Sequence, residues 1–189
     1  MSHSSESQRR STRLEGYDYS QSGGYFVTIC THRKACILGE ISGGILLPTK
    51  LGKTVKTCWL GIPDHFPNTE MDEWVIMPNH IHGIILIHDA SSGEAFAKNS
   101  DSINRTTANA SPLRYPAGTT PRSLGAIIQN FKSISTRKAN QLQGTPGRPI
   151  WQRGFYDRII RNQSELDHIR KYITENPLEW KLDPYHVQH

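Results

Sequence analysis

Two apolar runs joined by two turn residues constrain the fold of this chain more than any other feature. Glu73-Trp74-Val75-Ile76-Met77 is followed by Pro78-Asn79, and then by the stretch from His80 to Ile87. Valine, isoleucine and tryptophan suit a pleated, half-buried surface, and Pro and Asn supply turn chemistry. The segment therefore reads as a β-hairpin whose strands are both expected to be central in a sheet. Residues i and i+2 of a strand share a face. His80 and His82 thus stand side by side, while Ile81 points into apolar packing on the other side.

The rest of the chain supplies partners for that hairpin. Gly24-Tyr25-Phe26-Val27-Thr28-Ile29-Cys30-Thr31 has the aromatic and β-branched content of a strand. A short hairpin is expected around Cys36–Ile41 and Ile45–Leu47, turning at Gly43-Gly44. Pro48 opens a predicted helix over 49–60 carrying Leu51, Val55 and Leu60. Leu124, Ile127, Ile128, Phe131 and Ile134 recur at helical spacing and predict a helix to about Asn140, with Lys132, Arg137 and Lys138 off its apolar stripe. After a break at 144–149, a short stretch read as extended leads to Asn162. A last helix is expected from Ser164, capped by a Ser-x-x-Asp pattern with Asp167, to Asn176 before Pro177.

A length of 189 residues fits one domain. Residues 1–22 are expected to be a flexible basic arm, 23–182 a single domain and 183–189 a tail. The Ser-, Ala-, Asn- and Thr-rich stretch at about 89–121 reads as a low-complexity insertion. The net charge is +5 and the pI about 9.2, which favours an anionic partner such as nucleic acid. Three cysteines, Cys30, Cys36 and Cys58, fall in no CxxC spacing and speak against a disulfide framework or zinc finger. No uncharged apolar run is long enough to span a membrane, and no signal sequence is legible, so a cytoplasmic protein is expected.

Two groupings carry candidate chemistry. The imidazoles of His80 and His82 lie at a separation one metal ion bridges; spacing alone equally allows two partly buried histidines with ordinary hydrogen bonds. Tyr172 and Asn176 are four residues apart and project from one helical face. A phenolate can attack phosphorus and form an ester, and an amide oxygen suits a hard ion such as Mg²⁺ or Mn²⁺. The alternative is that Tyr172 packs and Asn176 caps the helix. Lys171 and Arg170 are candidate helpers of the phenol, whose free pKa is about 10.

Taken together, Trp74-Val-Ile-Met-Pro-Asn-His-Ile-His-Gly, Trp151-Gln-Arg-Gly-Phe-Tyr-Asp-Arg-Ile-Ile-Arg-Asn and Tyr172-Ile-Thr-Glu-Asn-Pro resemble the REP-associated tyrosine transposases, relatives of the single-tyrosine HUH transposases. Tyr17-Asp-Tyr-Ser and the Gly24 strand look like the family's opening strand. The resemblance runs from about Tyr17 to Trp180, with the insertion outside it.

The resemblance implies an α+β, ferredoxin-like antiparallel sheet with helices packed on it. It implies His80, His82 and Asn176 as ligands of Mg²⁺ or Mn²⁺, and Tyr172 as the nucleophile that cleaves and rejoins single-stranded or hairpin DNA through a 5′-phosphotyrosine. Lys132, Arg137, Lys138, Arg153, Arg158 and Arg161 are candidate phosphate contacts. Tyr25, Trp151 and Phe155 are candidates for base stacking or, more simply, for core packing. Tyr156 is the rival nucleophile. Alternative readings are a nicking enzyme of the replication-initiator kind and a domesticated hairpin DNA- or RNA-binding protein without catalysis. The chain is expected to act as a monomer or as a homodimer.

Overall fold

The computed structural model describes Leu14 and residues 16–89 and 120–186. Most of the expected N-terminal arm and nearly all of the expected insertion at 89–121 lie outside the described residues.

Four strands form the main sheet: β1 (Gly23–Cys30), β4 (Thr69–Met77), β5 (His80–Ile87) and β6 (Tyr156–Ile160), in the order β4-β5-β1-β6. All neighbours are antiparallel. β2 (Gly39–Ser42) and β3 (Ile45–Pro48) make a separate hairpin. It turns at Gly43 and Gly44, whose φ values of 58° and 77° are open to glycine without strain. The helices are α1 (Lys50–Leu60), the short α2 (Ile62–His65), α3 (Leu124–Gln143) and α4 (Gln163–Glu175). The strand–helix order and sheet order are those of an α+β, ferredoxin-like fold with one helix added at the end.

Alternation along the strands gives the sheet two different faces. Tyr25, Val27, Ile29, Ile81, Ile85 and Ile87 build the larger core with Val55 and Trp59 of α1 and Ile127 and Phe131 of α3. Trp59 and Phe131 meet edge to face, their centroids 5.3 Å apart. Gly83 leaves the room that Trp59 fills, since a Cβ there would run into the indole ring. The opposite face carries a smaller core in which Ile84 packs with Ile169 and Ile173 of α4, flanked by Phe26, Val75 and Leu86. Fully burying each isoleucine of that seam contributes about 1.5–3 kcal/mol, so α4 is fixed to the sheet by its own apolar stripe.

Several local expectations are revised. β5 is central, but β4 is an edge strand. β4 also starts before Glu73, with a register irregularity between Met71 and Trp74 where Asp72 and Glu73 interrupt the apolar alternation. Helix α1 is capped by Thr49, whose side chain accepts from the Gly52 amide, not opened by Pro48. Helix α4 is capped by Asn162 rather than Ser164: its Oδ1 accepts from the Glu165 amide at 2.9 Å. Tyr25 and Trp151 are core residues, with Trp151 Nε1 donating to Ser135 Oγ at 2.8 Å.

Candidate active site

Antiparallel register sets the site. His82 lies directly across from Thr28 on β1, which in turn lies across from Tyr156 on β6; His80 lies across from Cys30. Both histidines are buried, on the face covered by α4. Their Nε2 atoms are 3.0 Å apart.

Each imidazole is oriented through its other nitrogen. Asn79 Nδ2 donates to the carbonyls of Tyr185 (2.8 Å) and Lys34 (3.2 Å), which fixes its amide so that Oδ1 accepts from Nδ1–H of His80 at 2.8 Å. That leaves His80 Nε2 as a lone pair aimed at His82. His82 Nδ1 is paired with Thr28 Oγ1 at 2.9 Å. Such partners on the far nitrogen are what orient metal-binding imidazoles. Burial lowers the pKa of both rings, and for His80 the neighbouring His82 adds to the effect. Both are therefore neutral at pH 7, the state a ligand needs.

Tyr172 reaches this pair from α4. Its hydroxyl is 3.3 Å from His82 Nε2, and its ring stands edge to face with Phe26, which stacks on His82. Burial, and then the charge of Asp183, raise its pKa. One turn on, at the helix end, Asn176 is 3% exposed. Its Nδ2 donates to Asp183 Oδ2 at 3.2 Å, while its Oδ1 is buried without a hydrogen-bond partner. An orphaned buried acceptor costs about 1–3 kcal/mol, and a cation is a fitting partner for such an amide oxygen. The donor set of His80, His82 and Asn176 thus fits a divalent ion.

Sequence reasoning missed Asp183. It sits in the stretch expected to be a tail, yet the turn after α4 carries it back against the histidines, with Oδ2 at 3.8 Å from His80 Nε2 and 3.9 Å from His82 Nε2. Tyr185 follows it, its ring 4.8 Å from that of His80. Asn79, read from sequence as turn chemistry, proves to hold His80 in place.

Other predicted residues are placed as follows. Tyr156 is 48% exposed and its ring lies 6.1 Å from Tyr185, whereas the Tyr172 ring lies 5.3 Å from His82. Arg170 is engaged by Asp72 of β4 and Lys171 by Glu175, so neither expected helper is paired with the Tyr172 hydroxyl. Helix α3 packs on the opposite face of the sheet, so Lys132, Arg137 and Lys138 stand away from the imidazoles. Lys132 Nζ donates to the carbonyls of Gln152 and Gly154, and burial lowers its pKa to about 8. Lys132, Arg137 and Arg153 line a groove of about 900 Å³ between α3 and the 144–153 segment. Arg158 lies, by its pairing with Phe26, on the histidine side of the sheet; it is ion-paired with Glu165 at 2.7 Å. The backbone amide of Arg161 donates to the same glutamate.

An uncharacterized protein of Haemophilus influenzae is 37% identical to this chain over 182 residues, which cover 95% of this chain and 93% of that one. The two belong to one family. The solved structure of a REP-associated tyrosine transposase bound to a REP hairpin aligns with a TM-score of 0.56 at 18% identity, covering 89% of this chain and 73% of that chain. The chain has the REP-associated tyrosine transposase fold. In this chain helix α4 packs on the β4–β5 hairpin, and that packing brings Tyr172 onto His82. No family model matches the chain. Among the described residues, no helix is long and apolar enough to cross a membrane.

Proposed function

We propose that this chain is a metal-dependent DNA transposase or endonuclease that cleaves and rejoins single-stranded or hairpin DNA through Tyr172. The observation that carries the reading is the approach of the Tyr172 hydroxyl to His82 Nε2 within a buried set of metal-capable donors.

Mg²⁺ or Mn²⁺ held by His80, His82 and Asn176 would supply Lewis-acid polarisation of the scissile phosphate. The residues of the chain do the rest. Thr28 and Asn79 hold the imidazoles in register, and the Ile84–Ile169–Ile173 seam holds α4 so that Tyr172 faces the phosphate. The phenolic oxygen forms a bond to phosphorus as the bond from phosphorus to the 3′-oxygen breaks. The phenol's proton passes through solvent, which reaches the 36% exposed Tyr172, and the leaving strand departs as a 3′-hydroxyl. The products are a 5′-phosphotyrosine and a free 3′ end. Attack by a 3′-hydroxyl reverses the step, trading one phosphodiester for another without an energy source. In this reading Arg158 meets a backbone phosphate on the same face, exchanging its pair with Glu165 for it, and Arg137 and Arg153 of the α3 groove meet a flanking strand.

The test is incubation of the full chain with end-labelled hairpin single strands from the DNA flanking its gene, with Mn²⁺, Mg²⁺ or chelator. A denaturing gel is expected to show a DNA–protein adduct only with metal. Tight binding without an adduct under any condition would replace this reading with a non-catalytic hairpin binder.

A further inference from the structure

Asp183 is a buried anion that the proposed reaction does not use. Its side chain is 1% exposed. Oδ1 accepts from the Tyr185 amide at 2.6 Å, which locks the carboxylate, and Oδ2 is turned toward both histidines. Two imidazole nitrogens and one carboxylate oxygen thus converge inside the protein, and a cation between them would offset the buried negative charge.

The distances agree with that reading. A triangle with sides of 3.0, 3.8 and 3.9 Å, formed by the two Nε2 atoms and Oδ2, has a centre about 2.1 Å from each corner, the length of a bond from a divalent ion to nitrogen or oxygen. Asn176 stands beside the same carboxylate oxygen.

We infer that Asp183 is a fourth protein ligand of the metal, so that one chain supplies two imidazole nitrogens, an amide oxygen and a carboxylate oxygen. The inference rests on the reading that His80 and His82 hold a divalent cation. Its consequence is that the segment after Pro177 belongs to the metal site, and that the ion is held by the protein before any DNA arrives.

The experiment is a calorimetric titration of Mn²⁺ into the full chain without DNA, for the wild type, His82→Ala and Asp183→Asn. The wild type is expected to bind one ion, His82→Ala to lose binding, and Asp183→Asn to bind at least about tenfold more weakly. A second probe keeps the inference open to refutation if Asp183→Asn is poorly folded. With Co²⁺, Asp183→Cys is expected to show a near-ultraviolet sulfur-to-cobalt charge-transfer band that the wild type, with its own three cysteines, lacks. Asp183→Asn affinity within twofold of the wild type, or no new band in Asp183→Cys, overturns the role of Asp183 and leaves the histidine site standing. A wild type that binds no Mn²⁺ overturns both.

Discussion

The Tyr172 hydroxyl lies 3.3 Å from Nε2 of His82, the same nitrogen that faces His80 at 3.0 Å. A nitrogen that gives its lone pair to a metal ion can no longer share a hydrogen bond with the phenol, so the phenol and a metal ion compete for it. Loading the site therefore releases the hydroxyl toward the substrate. Tyr172→Phe is expected to abolish the DNA adduct while leaving Mn²⁺ affinity unchanged or somewhat tighter by calorimetry. A tenfold loss of affinity would make the hydroxyl a ligand instead of a competitor.

The buried imidazoles also set an acid limit. With chelator present, burial keeps the pKa of His80 and His82 below the ordinary 6.5. The unfolded chain then binds more protons below that pH, and stability falls as pH drops from 6.5 toward the folded values. Burial opposes ionisation of Asp183, but the partners it gains, His82 first, outweigh it and hold its pKa below 3.8. Its contribution is lost only at lower pH, so the window above about pH 4 belongs to the histidines. Urea unfolding at pH 7 and pH 5 is expected to show a loss for the wild type, bounded by about 1.4 kcal/mol per pH unit for each imidazole. His82→Ala is expected to show a smaller one.

Arg170, two residues before Tyr172, ties α4 to the irregular segment of β4. Its guanidinium engages both carboxylate oxygens of Asp72, at 2.8 and 2.5 Å. The arginine is partly exposed, so Arg170→Ala is expected to cost only about 1 kcal/mol in urea unfolding. It is expected to slow adduct formation more than that figure implies, because the helix bearing Tyr172 loses a tether, with Mn²⁺ affinity intact. Equal adduct rates in both proteins would show that the Ile169–Ile173 seam alone positions the helix.

Gly83 sits between His82 and Ile84 and beneath Trp59, where a Cβ would meet the indole ring and Trp74 Cβ. Gly83→Ala is expected to destabilise the fold by about 1–3 kcal/mol through overpacking, read as a lower urea midpoint with unchanged slope. An unchanged midpoint would mean that Trp59 yields without penalty.

Much of this arrangement is legible in the sequence because it follows from short periods. Alternation puts His80 and His82 on one face, and a spacing of four puts Tyr172 above Asn176. The hairpin is legible because Pro78-Asn79 separates two apolar runs. What escapes the sequence depends on distant chain segments meeting. Asp183 is one acid in a polar stretch, and only the turn after Pro177 shows that it returns to the sheet. The Asn162 cap is hidden because Asn162 and Ser164 are both good capping residues, and only backbone geometry decides which side chain reaches Glu165. Lys132 reads as a surface cation, but its contacts with the Gln152 and Gly154 carbonyls depend on how the 144–153 segment packs.

The central claim is that Tyr172 makes the covalent bond to DNA, and the most direct measurement is to locate that bond. The metal-dependent adduct is digested with nuclease and trypsin, and the peptides are sequenced by mass spectrometry. The nucleotide is predicted on the peptide from Tyr172 to Lys181, attached to Tyr172. A nucleotide on the peptide from Gly154 to Arg158, attached to Tyr156, would contradict the claim.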